Sequence, residues 1–257
     1  MERIQRRTYG GLSRDGLRLW GFLFLALGIA GKAVFQNRYL GMIHGDGNAL
    51  LALLEQHPDR MMYATIAVVL QAMETCAVPI FAFLLSEGMM HTENPGKYLC
   101  RLLAAAAAAE LPFNLAMGGK LLDLGSRNPV FGLVFAAAAI WFCKYYGEKN
   151  LKHFLTRILV TVCAALWCGM LKVQYGAITV FIALVLWAFR LKPSYRNIAG
   201  ATATIVCSLS SMFFMAAPMG FLAVFLYNGE EGEMRPLIKY GAYPGMLLMA
   251  AAAAMFL

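Results

Sequence analysis

Residues 79–114 carry three ionisable groups that an apolar helical hairpin does not need: Glu87, His91 and Glu110. Glu87 and His91 are four residues apart, so on a helix they share one face. A carboxylate beside an imidazole fixes its tautomer and raises its basicity, which is what a general base requires. Glu110 lies deep in a second apolar run, just before Leu111-Pro112-Phe113-Asn114. A carboxylate inside a membrane segment costs roughly 2.5–3.5 kcal/mol on insertion scales, so it faces a bundle interior or a wet cavity. Two readings follow: a polar clamp between helices, or a functional cavity open toward the cytoplasm and lined by Glu87, His91, Glu110 and Asn114. His44 with Asp46 and His57 with Asp59 are acid/base or metal-type pairs in a polar segment, where plain solvated loop is the simpler reading. The six cysteines fall in or beside apolar runs and form no paired C-x-x-C pattern, so neither a disulfide framework nor a metal site is expected.

The elements that must position these groups are membrane helices. The chain has 257 residues, 60% of them hydrophobic and 14% charged, with mean hydropathy +0.62. Soluble domains are nearer 45–50% apolar and about 25% charged, so a bilayer is the expected solvent and an all-α, polytopic bundle the expected fold. Residues 1–16 read as a basic tail and 17–257 as a single transmembrane domain with an external loop at 37–60. No cleavable signal peptide is expected, because the first apolar run is long and lacks a small-residue cleavage site. Apolar runs at 17–36, 61–90, 97–116, 129–146, 151–170, 174–189 and 236–257 each read as one span. Residues 197–227 are too long for one and are split near Ser210, Ser211 and Pro218, giving about nine spans, or eight if they stay whole. The run 61–90 exceeds one bilayer core, so it should tilt, kink at Pro79 or project into the cytoplasm. Glu74 near its middle needs a partner, for which Lys32 is the candidate.

Charge sets the orientation. With nine spans and the N-terminus inside, sixteen of the 22 basic residues fall on the inner side, among them Arg14, Arg18, Lys97, Arg101, Lys149 and Arg196. That bias predicts a cytoplasmic N-terminus and an external C-terminus. The net charge of +8 is thus a topology signal, and no nucleic-acid partner is expected.

The stretch also resembles the signature of the TraX family of bacterial multi-pass membrane proteins. The matching residues are Pro79, Phe81, Phe83, Glu87, Gly88, His91 and Thr92, then Lys97, Tyr98 and Arg101, then Glu110, Pro112, Phe113 and Asn114. Weaker echoes follow in the same order: Asn128 with Phe131, Tyr175-Gly176, Leu226-Tyr227-Asn228-Gly229 and Tyr243-Pro244. The resemblance implies a relative of membrane acyltransferases in the bacterial cytoplasmic membrane, with N-acetylation of the pilin subunit in conjugation systems as the family's named activity. It implies acetyl-CoA or another acyl-CoA as donor and a peptide, pilin-like or small amine acceptor. Under it His91 is the base, Glu87 its orienter and Glu110 a second acid/base. Asn114 and Tyr175 are oxyanion or substrate donors, with Lys97, Arg101 and Asn128 as further substrate-binding positions. The family's first helix usually carries an Asp-His pair where this chain has Gly28 and Ile29; Gln174 stands for its Asp and Met246 for a further His. Isoleucine, glycine and methionine take no proton, so a non-catalytic binding, assembly or transport subunit remains the alternative.

Overall fold

The computed structural model describes residues 11–42, 47–146 and 150–256. Arg3, Arg6 and Arg7 of the basic tail, His44, Asp46 and Lys149 lie outside the described residues. The described chain is a helical membrane bundle, with isolated bridges at Leu12–Tyr227 and Arg127–Val173 but no strand.

Helix α1 (Arg14–Ile29) starts on a Ser13 cap, whose hydroxyl accepts from the Gly16 N–H. It runs without a break into a π-helix, Ala30–Tyr39. Helix α2 (Gly47–Gln56) occupies ten residues of the segment expected as loop. A short 3₁₀ turn, Pro58–Arg60, then leads into α3 (Met61–Glu74) and α4 (Ala77–His91). Next come α5 (Pro95–Gly118), α6 (Val130–Tyr145), α7 (Leu151–Met170) and α8 (Gly176–Ala188). Helix α9 (Pro193–Ser208), a second 3₁₀ turn, α10 (Ala217–Phe225) and α11 (Pro236–Phe256) complete the bundle. Four continuous rods are long and apolar enough to cross a bilayer: Arg14–Tyr39, Pro58–His91, Pro95–Gly118 and Leu151–Met170. Val130–Tyr145, Gly176–Ala188 and Phe214–Phe225 are shorter apolar helices. At 1.5 Å per residue the 13 residues of α8 cover only about 20 Å.

Two departures from the sequence expectations have local causes. The long rod breaks at Thr75 and Cys76, not at Pro79. Proline has no N–H and its ring crowds the carbonyl four residues back, here Thr75, whose oxygen accepts from the Val78 N–H instead. Arg196, expected in a loop, lies in the first turn of α9, because Pro193 at the helix start sets the helical φ earlier than the apolar run does.

Helices α4 and α8 are the central pair. The first packs on α1, α6, α8 and α10, and the second on α4, α6, α7 and α9. Their inner faces are nearly all buried, with Phe83, Ile80, Val180, Ile182 and Leu186 in the main core. Gly132 meets Gly176 so closely that a Cβ on the former would stand 2.9 Å from the latter's Cα, the small-residue contact that brings helix backbones together in lipid. Helix α11 leans on α5 and the π-helix, closing a second apolar cluster around Ile29, Phe113 and Leu247.

Consecutive rods alternate in direction, so the bundle has two ends. At the near end, where α1 begins, Arg14 contacts Glu231 and its N–H donates to the Glu230 carbonyl, while Asp15 meets Lys239 at 3.7 Å. At the far end, Asn37 donates to the Met117 carbonyl at 3.0 Å, and Arg127 pairs by its backbone with Lys172 and Gln174.

Candidate functional site

The expected site residues fall into two separate polar groups, and a third group forms around Glu74. They do not share the single cavity anticipated from the sequence. Glu87 sits near the end of α4, whereas Glu110 is the sixteenth residue of α5, which starts at the same end. That places Glu110 about 20 Å further along the bundle.

The first group is at the near end. The Glu87 carboxylate is buried, and its Oε1 accepts from Arg196 Nη1 at 2.5 Å. The Arg196 guanidinium also stacks on the Phe83 ring, 4.7 Å from its centroid. Glu87 Oε2 lies 3.4 Å from His91 Nδ1, and that nitrogen is 2.9 Å from the Glu87 carbonyl. The His91 side chain is 62% exposed, so the ring is held at Nδ1 and open at its other edge. Tyr227, in the loop after α10, packs edge-on to Phe83. Burial and then the Glu87 carboxylate push its phenol above the ordinary range, against the pull of Arg14 and Arg196. Lys97 and Arg101 are on the exposed face of α5 nearby, where Asn94 caps the Lys97 N–H.

The second group is a clamp at the far end. Glu110 Oε1 accepts from Arg127 Nη1 at 2.8 Å, and Oε2 from the Asn128 amide at 2.6 Å and its backbone N–H at 3.3 Å. Asn128, fully buried, donates again to the Ala106 carbonyl. Asn114 donates to the Leu121 carbonyl at 3.3 Å, and its buried Oδ1 has no hydrogen-bond partner among the described residues. Every strong acceptor of Glu110 is used, and the result ties the loop before α6 to α5.

The third group surrounds Glu74 at the middle of the 34-residue rod Pro58–His91. Helix α1 reaches it through Gly28, where a Cβ would lie 2.3 Å from the Glu74 Cβ and 2.4 Å from Oε2. Only a glycine fits there. Glu74 is 5% exposed and makes no ion pair among the described residues; Lys32, the expected partner, stays beyond ion-pair distance. Its hydrogen bond is a long one, 3.4 Å, from Gln174 Nε2. Tyr175 next to it is held at φ +55°, left-handed for a residue with a Cβ, and opens α8.

Glu74 forms the floor of a cavity of about 180 Å³. Arg18, Lys239, Tyr240 and Tyr98 form its rim at the near end; Phe22, Phe81, Leu85, Leu102 and Leu133 are among the apolar residues of its shaft. Tyr175, Thr179 and Tyr243 complete the floor. Arg18 and Lys239 share the single carboxylate of Asp15, which leaves the rim one net positive charge. Among the candidate site residues Tyr175 is in the lining; Glu87, His91, Glu110 and Asn114 are not. No group of three metal-type ligands occurs among the described residues.

A family model described as TraX protein matches residues 48–251. The chain belongs to the TraX family. Comparison with curated proteins and with solved structures gave no significant match. The matched segment of this TraX member contains the Glu87 group, the Glu110 clamp and Glu74, while α1, which brings Arg18 to the cavity and Gly28 against Glu74, precedes it. The sequence analysis did not count Arg196, Lys239, Tyr240 or Tyr243 among the site residues. Arg196 stands before the apolar run in the sequence, so only the early start of α9 at Pro193 brings it into the helix that faces Glu87.

Proposed function

We propose that this TraX-family protein is an integral membrane acyltransferase that moves an acyl group from a thioester donor to an amine acceptor inside the cavity. The observation that supports this reading is the cavity's polarity: a cationic rim, an apolar shaft and a polar floor. Acyl-CoA has the complementary sequence of parts, with phosphates for Arg18 and Lys239 and a slim acylated arm for the shaft. A volume of about 180 Å³ is below the roughly 300–1,000 Å³ of pockets that hold whole drug-sized ligands, so the arm enters and the nucleotide stays outside. The bias of basic residues favours a near end in the cytoplasm, where acyl-CoA is made, and family membership favours the bacterial inner membrane. A peptide of pilin type or a small amine is the acceptor this family membership favours.

Two groups can take the acceptor's proton: His91 beside the rim and Glu74 at the floor. Enclosure favours the floor, since a site without water strengthens electrostatic interactions and spares the thioester from hydrolysis. The alternative, a non-catalytic binding or assembly subunit, draws on the locked state of Glu87 and Glu110, both held as structural ion pairs.

The test is thiol release from acetyl-CoA by purified protein with peptide or small-amine acceptors. Replacing Arg18 and Lys239 by Gln should raise KM for acyl-CoA by about tenfold or more, the value of one lost charge-assisted hydrogen bond. KM for a phosphate-free thioester such as an N-acetylcysteamine ester should stay unchanged. An equal loss for both donors would remove the rim from donor recognition.

A further inference from the structure

Three irregularities of the backbone meet at Glu74. Helix α1 turns into a π-helix one residue after Ile29, beside the Gly28 contact. The α3–α4 rod is interrupted at Thr75 and Cys76, directly after Glu74. Helix α8 begins at Gly176 behind Tyr175, whose positive φ is strained for a side-chain-bearing residue. Non-helical backbone at membrane depth is tolerated where it lines a cavity or is buried in protein, and broken helices at mid-depth mark binding sites in transporters. The chemistry at this junction is unbalanced. Among the described residues the buried Glu74 carboxylate has no ion-pair partner, Lys32 acting on it only through space, and Gln174, which reaches it through Nε2, leaves its own Oε1 buried and without a hydrogen-bond partner. Two acceptors side by side call for a donor, and one that carries positive charge would also balance the carboxylate.

We infer that Glu74 and Gln174 form a mid-membrane site for the ammonium or amino group of a ligand that enters along the shaft. An ammonium has three donors and no acceptor, so one nitrogen satisfies both the Glu74 carboxylate and Gln174 Oε1. The phenols of Tyr175 and Tyr243 border the same floor. Resting on the acyl-transfer reading, the site also has a chemical role. The neutral amine attacks the thioester carbon, the N–C bond forms and the C–S bond breaks. The nitrogen's proton passes to Glu74 and then to the departing sulfur, which leaves as a thiol and restores the carboxylate. Glu74 is then the catalytic base that Gly28 and Ile29 of α1 do not provide.

A hydrophobic carbodiimide, which couples to carboxyl groups within membrane proteins, tests the site on the unaltered protein in lipid nanodiscs. Peptide mass spectrometry is expected to find the adduct on Glu74. Octylamine at about four times its dissociation constant should slow that labelling about fivefold, while octanol should not. Absence of an adduct on Glu74, equal labelling with octylamine and octanol, or protection by sodium in place of the amine would overturn the inference. Thiol release, measured on the same preparation, separates the two claims. Amine protection without turnover keeps the binding site and removes the base role together with acyl transfer. Turnover that Glu74→Gln leaves at the parent rate, with no protection, overturns the site and leaves acyl transfer standing elsewhere.

Discussion

Glu87 and Arg196 lie 109 positions apart in the sequence and form one buried ion pair, 2.5 Å between Oε1 and Nη1, with Phe83 under the guanidinium. The pair ties α4 to α9, two helices that both pack on the core helix α8. Its geometry explains why Glu87 can stand in an apolar helix, and it leaves the second carboxylate oxygen 3.4 Å from His91 Nδ1.

Removing one member leaves the other charged and buried. Arg196→Ala should therefore destabilise the protein by about 3–5 kcal/mol, whereas an apolar pair, Glu87→Leu with Arg196→Met, should recover most of the loss. Thermal unfolding in detergent measures both. If the double variant is no more stable than Arg196→Ala, the pair is not a unit.

The Glu110 clamp is more exposed, with Arg127 about a third accessible, so solvent screens part of the ion pair. Its hydrogen bonds to Asn128 matter more. Asn128→Ala should cost about 1–3 kcal/mol, the value of leaving a partly buried carboxylate short of donors, and thiol release per folded molecule should not change. Unaltered thermal stability in Asn128→Ala would mean that the loop before α6 is not held from Glu110.

Gly28 and Glu74 are sterically exclusive of anything larger. Gly28→Ala puts a methyl where Glu74 already stands, 2.3 Å from its Cβ, and should lower stability by about 1–3 kcal/mol through overpacking. Glu74→Ala frees that volume, so the double variant should be less destabilised than the sum of the two single changes. Strict additivity, read from unfolding midpoints, would contradict the contact.

The helical bundle was legible in the sequence because apolar length and charge bias are properties of the chain itself. The runs at 61–90, 97–116 and 151–170 come within a few residues of the rods observed. The same logic identified Glu87 and Glu110 as acids that a membrane helix must explain. It could not decide between site and clamp, because the cations that answer them, Arg196 and Arg127, come from distant segments and enter only through packing. Gln174 as the partner of Glu74 was hidden for the same reason, with one hundred positions between them. The break after Glu74 was misplaced because Pro79 is visible in the sequence, while the effect of its ring falls four residues earlier.

Orientation follows from the two ends of the bundle. Single cysteines at Asn150 and at Gln56, in a background without the native six, should react with a membrane-impermeant maleimide from opposite sides of intact cells: Gln56 from outside, Asn150 only after permeabilisation. The reverse pattern would place the cationic rim away from the cytoplasmic donor.

Acyl transfer within the cavity is tested most directly by plugging the shaft. Ala105 lines it, and a phenylalanine there fills the passage between rim and floor without adding charge. Thiol release from acetyl-CoA in the presence of an amine acceptor should be measurable for the parent and lost by about a hundredfold or more in Ala105→Phe, as expected when the reacting groups can no longer meet. No release from the parent with any acyl-CoA, or release by Ala105→Phe at the parent rate, would contradict an acyltransferase site in this cavity.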